Sequence, residues 1–302
     1  MNGKKHSSSL SLRVLVLVLC VLLLMGCGGS GGNADGKQNF KQGFGELVVG
    51  FLQNAPPQSI YPGSDFKIIL ELDNQAAYDL TNGKVSIIGL NNKYFEVKPE
   101  TQYFDTLIGR SLLSPVGEKK FLEFAGTSGQ LFENANSYRG NYFLKVNYDS
   151  IMGFSDTLCI NPRLYEVYDS GCKMSDQKSY SGQGAPLAVT DMQVITYPIG
   201  TGAKLEFRFK VSNRGQGELD HISLTGAKLG NEAFQKCEFL GASLDIHKAL
   251  LDQNRQEATL ICEKMITDQN SYETTLSLAF TYSYQSIKQY TLMLVSPNYR
   301  SY

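Results

Sequence analysis

The sequence predicts an all-β protein built from two tandem β-sandwich domains. Three observations support this prediction: apolar and polar residues alternate in many short segments, turn residues separate these segments, and one order of strands and loops occurs twice. The length of 302 residues suits two domains of ordinary size. With 42% hydrophobic and 19% charged residues, the composition is globular and excludes collagen, a coiled coil and general disorder.

The N-terminal residues are typical of an export signal. Lys4, Lys5 and Arg13 precede an unbroken apolar run at residues 14–25, which corresponds to the basic and apolar regions of a signal peptide. As a helix this run would span about 18 Å, well short of the ~30 Å hydrocarbon core of a bilayer. We therefore expect a cleaved leader rather than a permanent membrane span.

The leader ends in Leu24-Met25-Gly26-Cys27, which resembles the lipobox of prokaryotic lipoproteins. The resemblance implies that residues 1–26 are removed and that Cys27 is acylated, so that a membrane is a partner through a lipid anchor. An ordinary secretory signal with an incidental Cys27 is the alternative. Residues 27–43 are rich in Gly and are predicted to be a flexible tether. We expect an extracytoplasmic protein, at the cell surface or on the periplasmic face of a membrane.

The charge balance limits the kinds of binding partner that the sequence predicts. Removal of residues 1–26 takes away three basic residues and no acidic one, which leaves 25 basic and 29 acidic residues and a net charge of −4. This balance gives no electrostatic surface for nucleic acid. The sequence also contains no phosphate-binding loop or dinucleotide motif. We therefore expect neither a nucleic acid nor a nucleotide partner.

The remaining cysteines predict disulfides. Apart from Cys20 in the leader and the lipobox Cys27, there are four: Cys159, Cys172, Cys237 and Cys262. An even number in an exported chain favours disulfides. Of the three possible connectivities, we favour the first with the second and the third with the fourth, because each pair then stays within one predicted domain or its flanking loop. A zinc site normally needs closer Cys pairs, and we expect no metal and no cofactor.

The predicted strands define the domains. Residues 205–211 and 275–284 alternate without a break. Further strands are predicted at 47–52, 66–72, 85–90, 121–124, 142–148, 154–160, 187–195, 222–224, 258–262 and 288–295. A brief helical period occurs only at 244–252. The predicted division is a first sandwich at 44–165, a disulfide loop and linker at 166–185, a second sandwich at 186–297 and a tail at 298–302.

The repeat lies in the order of these features. A Tyr-Pro turn, an alternating strand, an Asn at the strand end, a polar loop and a second strand follow one another from Tyr61 and again from Tyr197. The Asn residues of the two copies are Asn74 and Asn213. Such a recurrence is economically explained by duplication of one β unit.

The second copy resembles a known family. Val211-Ser212-Asn213-Arg214-Gly215-Gln216-Gly217-Glu218-Leu219 is similar to the Ig-like CARDB modules, which occur in tandem on bacterial and archaeal surfaces. Asn54-Ala55-Pro56-Pro57 and Ser181-Gly182-Gln183-Gly184-Ala185-Pro186 resemble segments of archaeal surface proteins. The resemblance implies two Ig-like domains and a surface location, and it brings no established chemistry. The Cys pair of the second domain departs from the CARDB pattern.

The sequence contains no recognisable catalytic or metal-binding motif. His221 and His247 have no metal-ligand neighbours at the usual spacing, and neither a zinc-protease motif nor a nucleophile elbow occurs. Asp149 and Asp156 are interpreted as bracketing a hairpin. The acidic residues in general are interpreted as solvated turn residues, and calcium binding at a loop remains an open alternative.

The aromatic residues of the last strands continue the alternation of apolar and polar positions. We interpret Tyr282, Tyr284 and Tyr290 as core residues, with an exposed binding face as the alternative.

These observations predict a non-enzymatic, lipid-anchored surface protein. We expect it to act as an adhesive or scaffolding module, with a protein or an envelope polymer as its partner. The first alternative is an accessory subunit of an envelope transport, secretion or surface-layer assembly. The second is an extracytoplasmic hydrolase, which would need a cleft with converging acids or a His-activated nucleophile.

Overall fold

The structure is a computed structural model that describes residues 39–162, 172–200, 202–241, 245–251, 254, 256–267 and 270–297. Within Asn39–Tyr302 the chain forms one compact unit. The leader at 1–26, the acylated Cys27, most of the tether and the tail lie outside the described residues, so these remain predictions. A search of the described residues for a helix that is long and apolar enough to cross a membrane finds none.

The described chain is all-β, as predicted. Alternation of buried and exposed residues runs through most of its strands, as expected for strands with one face on a core. The strands are β1 (Leu47–Phe51), β2 (Asp65–Asn74), β3 (Leu80–Ile88), β4 (Phe95–Lys98), β5 (Thr101–Leu107), β6 (Lys119–Ser128), β7 (Ser137–Ile160), β8 (Gln177–Ser179), β9 (Leu187–Ile199), β10 (Gly202–Asn213), β11 (Glu218–Leu229), β12 (Glu232–Ala233), β13 (Lys236–Phe239), β14 (Lys248–Leu251), β15 (Glu257–Ile266) and β16 (Tyr272–Val295).

These strands form three antiparallel sheets. The first has the order β1-β2-β6-β4, the second β13-β15-β10-β9-β8, and the third β12-β11-β16-β7-β3-β5 with β14 also paired to β11. The first sheet packs on one end of the third, where the rings of Phe51 and Tyr290 lie 4.8 Å apart. The second sheet packs on the other end, where Phe154 lies 6.2 Å from Phe209. The result is a sandwich at each end of one long sheet.

Strands β7 and β16 are shared by both sandwiches. Each has 24 residues, and they pair antiparallel over their whole length, from Ser137 opposite Val295 to Ile160 opposite Tyr272. Residues 143–150 of β7 pair with β3, and residues 276–285 of β16 pair with β11. Beyond these residues each strand continues into the other sandwich. The count of two separate domains is therefore not confirmed, because each half of the chain supplies a strand to the other half.

This continuity corrects two sequence interpretations. Asp149 and Asp156 do not bracket a hairpin, because both lie within the single strand β7. The predicted strands at 275–284 and 288–295 are likewise one strand, β16. Between the two predicted strands of this region, β7 contains Ser150 and Gly153, which are typical of a turn. Ser150 and Met152 are nevertheless buried, so the alternation of buried and exposed residues continues without a break. The brief helical period at 244–252 is also wrong where the structure describes it, because Lys248–Leu251 is β14.

The repeat predicted from the sequence is present in the strand order. The order β1-β2-β6-β4 of the first half corresponds to β9-β10-β15-β13 of the second. The two Asn residues of the repeat also make equivalent hydrogen bonds. The side-chain oxygen of Asn74 accepts from the N–H of Ala76, two residues on, and that of Asn213 accepts from Gly215. Each Asn also donates to the carbonyl four residues on, Tyr78 and Gly217 respectively.

Both disulfides have the predicted pairing. Cys159 and Cys172 have Cα atoms 5.8 Å apart. Cys237 and Cys262 have Cα atoms 4.1 Å apart, and they lie directly opposite each other on β13 and β15. Since disulfides persist in oxidising compartments, the two bonds indicate an extracytoplasmic protein.

The described part of the predicted linker, residues 172–185, is packed. Residues 177–179 form β8 on the edge of the second sheet. Gln183 is buried, and its side-chain amide both donates to the carbonyl of Val189 and accepts from its N–H. Gly184 has φ 74°, and a Cβ there would lie 2.2 Å from the carbonyl oxygen of Phe40. The segment thus fastens the N-terminal segment of the described chain to the second half, and glycine is needed for this close approach.

Acid is expected to weaken the attachment of the β8 edge. The carboxylate of Asp156 accepts hydrogen bonds from Lys178 Nζ at 2.9 Å and from the Tyr180 hydroxyl at 2.7 Å. Burial opposes its charge, but these hydrogen bonds outweigh burial and hold the pKa of Asp156 below its usual value. A carboxyl with a lowered folded-state pKa stabilises the fold above its unfolded pKa, which is about 4, and loses this contribution as the pH falls through the folded value.

The matched test is Asp156→Asn. We expect this variant to lose about 1 kcal/mol of unfolding free energy at pH 6, because the pair is partly exposed. Between pH 6 and pH 3 it should lose less stability than the parent. Urea unfolding at both pH values measures this difference. An identical pH dependence in parent and variant would contradict the role given to Asp156.

Candidate functional site

The outer face of the shared sheet is exposed and mostly polar. On β7 and β16 the even-numbered residues face the core, and the odd-numbered residues face outward. Most outward residues near the centre and at the second-half end carry hydroxyl or amide groups. They include Asn147, Ser155, Thr157, Thr275, Ser277, Thr281, Ser283 and Gln285. We call this surface the outer face. Many antiparallel sheets have one exposed polar face, so polarity alone does not identify a binding site on the outer face.

A cleft of about 310 Å³ at the middle of the outer face distinguishes one part of this surface as a candidate binding site. It lies where Tyr148 pairs with Tyr284, the point at which β7 and β16 pass from one sandwich to the other. We call it the central cleft. It is lined by residues from both halves of the chain: Asn82, Asn147, Tyr148, Asp149, Glu218, Asp220, His221, Leu250, Ser283, Tyr284 and Gln285.

Two β-bulges border the central cleft at equivalent positions of the repeat. The register of β3 on β7 shifts between Thr81 and Lys84, and that of β11 on β16 shifts between Asp220 and Ser223. Within these bulges Asn82 has φ 53° and His221 has φ 50°. Positive φ is costly for residues other than glycine and is concentrated at functional sites. Bulges also redirect side chains, and here both redirected residues line the same cleft.

Hydrogen bonds join the two halves within the central cleft. Asp149 on β7 accepts from Asn82 Nδ2 at 2.9 Å and from the Ser283 hydroxyl at 2.6 Å. Asn147 donates to the side-chain oxygen of Gln285 at 3.1 Å. The carboxylate of Asp149 is therefore oriented by donors from β3 and from β16. The cleft floor is a fixed polar network rather than a set of independent side chains.

The charge of the central cleft is acidic. Asp149, Glu218 and Asp220 bring three carboxylates. Opposite them stands only His221, whose Nδ1 lies 2.9 Å from Asp220 and whose side chain is 73% exposed. The arrangement offers hydrogen-bond acceptors to a neutral or basic ligand and repels a polyanion. Within the part of the chain that the structure describes, no group of three or more His, Cys, Asp or Glu residues is arranged to hold a metal ion.

The aromatic residues of β16 pack in the core, as interpreted from the sequence. Tyr282 and Tyr284 are buried, and Tyr284 stacks on Tyr148 with ring centroids 4.9 Å apart. The Tyr284 hydroxyl donates to Glu46 at 3.0 Å and accepts from the N–H of Gly217 at 2.8 Å. Burial, together with the charge of Glu46, raises the pKa of Tyr284. This contact fixes the N-terminal segment against the centre of the shared sheet.

Sequence reasoning reached only part of this arrangement. The four predicted cysteines are brought together as two disulfides, and Cys27 lies outside the described residues. Asn82 and Asp149 were missed as partners, and His221 was noted only for its lack of ligand neighbours. The repeat in the sequence could have shown that Asn82 and His221 occupy equivalent positions, because each lies two residues after an equivalent buried leucine, Leu80 and Leu219 respectively.

Comparison with known proteins finds no matching family model and no matching curated protein. Among solved structures, the secreted serine protease VesC from Vibrio cholerae is similar at 12% identity and TM-score 0.23, over 81% of this chain. The chain spans only 51% of that structure.

Two further solved structures are a pilin with its chaperone and a collagen adhesin. The Salmonella enterica SafA pilin in complex with the SafB chaperone has 11% identity and TM-score 0.19, over 83% of this chain and 96% of that one. The collagen adhesin CNA from S. aureus has 8% identity and TM-score 0.11, over 83% and 92%. All three TM-scores are below 0.5, so none of these similarities assigns the chain to a family.

Proposed function

We propose that the protein is a non-enzymatic, lipid-anchored module on the extracytoplasmic side of a membrane, where it acts as an adhesive or a scaffold. In this proposal Cys27 carries the lipid, and the outer face with the central cleft binds a protein or an envelope polymer. The main support is the position of the cleft, whose lining residues come from both halves of the chain and meet on strands that both sandwiches share.

The shared strands suit a binding module that bears load. A pull on one sandwich is transmitted along β7 and β16 to the other, because both strands are paired along all 24 residues. Two disulfides further restrict the second half and the segment that leads into it. The hydroxyl and amide groups of the outer face can exchange hydrogen bonds with a polar polymer or a peptide backbone. The three carboxylates favour a partner whose contact surface is neutral or basic.

Binding of the unacylated chain from residue 27 onward, with Cys27→Ser, to isolated cell envelopes tests the role of the central cleft apart from the lipid anchor. The double variant Glu218→Lys and Asp220→Lys reverses the charge of one wall, and we expect it to weaken saturable binding at least tenfold (about 1.4 kcal/mol). The double variant Glu100→Lys and Glu133→Lys changes the net charge by the same amount at two exposed positions outside the cleft; it is the matched control and should bind like the parent. Equal binding by the cleft double variant and the parent would contradict the proposed surface.

The lipid anchor is tested separately by the intact mass of the protein extracted from membranes. We expect a chain that begins at Cys27 and carries acyl groups, and Cys27→Ser should move the protein to the soluble fraction. An unmodified chain that retains residues 1–26 would contradict the anchor. The same extraction distinguishes the accessory-subunit alternative, which requires a stoichiometric membrane protein to remain bound.

A further inference from the structure

The loop between β5 and β6 exposes an unusual amount of apolar surface. Among the described residues, the three most exposed large apolar side chains all lie in this loop: Leu113 at 99%, Val116 at 74% and Leu112 at 69%. We call residues 111–117 the apolar loop. Scattered exposed apolar residues are normal, but several at one loop tip mark a surface that is covered in use.

Hydrogen bonds hold the apolar loop in a defined shape. Ser111 and Ser114 close a short turn around the two leucines, since the N–H of Ser111 donates to the carbonyl of Ser114 at 2.9 Å and the N–H of Ser114 donates to the Ser111 hydroxyl at 3.1 Å. The N–H of Gly117 then donates to the carbonyl of Ser114 and closes a second turn around Pro115 and Val116. The apolar side chains are thus presented at the tips of two adjoining turns.

The base of the apolar loop lies beside the N-terminal end of the described chain. The N–H of Arg110 donates to the carbonyl of Ala76 at 2.7 Å, and its guanidinium lies 5.8 Å from the ring centre of Phe40. The described chain begins one residue earlier, at Asn39. Residues 27–38, which lead from Asn39 back to Cys27, can extend over at most about 40 Å. If Cys27 is acylated, the tether therefore keeps the apolar loop within reach of the bilayer surface.

We propose that the apolar loop inserts into the lipid bilayer that holds the anchor, as a second and non-covalent membrane contact. This inference rests on the proposed lipid anchor for its geometry. A bilayer suits the loop better than a protein surface does, because a stable protein interface usually buries about 800 Å² on each partner. Three side chains at two turn tips supply much less, whereas acyl chains accept them without a matching shape. Lys41 is exposed, with its Nζ 5.5 Å from the ring centre of Tyr78, and its ammonium group can meet lipid headgroups.

A tryptophan reporter tests the insertion, because the chain has no tryptophan of its own. The protein used is the chain from residue 27 onward with Cys27→Ser, which carries no lipid and keeps the compact unit whole. Leu113→Trp in this chain is mixed with phosphatidylcholine vesicles. We expect a blue shift of its emission and quenching by brominated acyl chains. Phe132→Trp, at an exposed position in the loop between β6 and β7, is the control and should show neither.

Co-sedimentation with the same vesicles measures the strength of the contact. Adding Leu112→Ser to the reporter chain should lower its partition into vesicles about tenfold. Unchanged emission of Leu113→Trp with lipid overturns the proposal, as does a blue shift that appears without lipid and grows with protein concentration, which would indicate docking on a second copy. Failure of the anchor is read independently from the intact mass of the natural protein, so the two failures are distinguishable.

Discussion

The first half of the chain, residues 39–162, is expected not to fold when it is expressed without the second half. Alone, it would expose one whole edge of the 24-residue strand β7, and long unpaired edges promote aggregation. It would also lack the end of β16, where Tyr290 packs against Phe51 and Tyr142 and where Leu294 bridges to Ile60. Dispersed amide signals and a cooperative urea transition are the signs of folding that should be missing.

The second half, residues 172–302, depends on the first in the same way. It would lack the end of β7, where Phe154 packs on both Tyr180 and Phe209. Secretion of both fragments together should restore the fold. It should also join them covalently, because Cys159 and Cys172 lie on opposite sides of the cut. A non-reducing gel reports this joined species, and Cys172→Ser is its control. Cooperative unfolding by either fragment alone would contradict the shared-strand architecture.

Replacement of Asn74 by alanine is expected to destabilise the fold by about 3 kcal/mol, since it leaves several buried backbone groups without partners. Asn74 is fully buried at the end of β2. Its Nδ2 donates to the carbonyls of Tyr78 at 3.0 Å and Leu107 at 2.8 Å, and its Oδ1 accepts from the N–H of Ala76 at 3.0 Å. The side chain thereby fixes the turn after β2 against the end of β5.

The repeat supplies the matched comparison. Asn213 makes two of the equivalent bonds, to the carbonyl of Gly217 and from the N–H of Gly215, so Asn213→Ala should cost less, about 2 kcal/mol. Asn74→Asp keeps the shape and the acceptor but loses both donors, and it should be at least as damaging as Asn74→Ala. Urea unfolding of the three variants measures these differences. A loss below about 1 kcal/mol for Asn74→Ala would contradict the role given to this residue.

The sequence was sufficient for the strand class, the disulfide pairing and the repeat, because each depends on local patterns. Alternation placed β2, β10 and β15, and the spacing of cysteines within each half favoured the pairing that the structure contains. The length of β7 and β16 was not predicted, because residues such as Asp149, Ser150 and Gly153 are typical of a turn. Their place in a strand follows from cross-strand pairing with β16, which is non-local.

The central cleft could not be assembled from the sequence for a related reason. Asp149 and Ser283 are 134 residues apart in the chain and meet only through the register of β7 on β16. Asn82 and His221 reach the cleft through bulges, and a one-residue change of register would turn their side chains to the other face. The apolar loop was missed because its leucines are apolar like core residues, and only the fold shows that they are exposed.

Differential scanning calorimetry of the mature chain tests most directly whether the two sandwiches are one body. Sharing of β7 and β16 predicts a single transition in which the calorimetric enthalpy equals the van't Hoff enthalpy. Two separable transitions, each removed by substitutions in one half alone, would mean that the halves fold independently and would contradict the account.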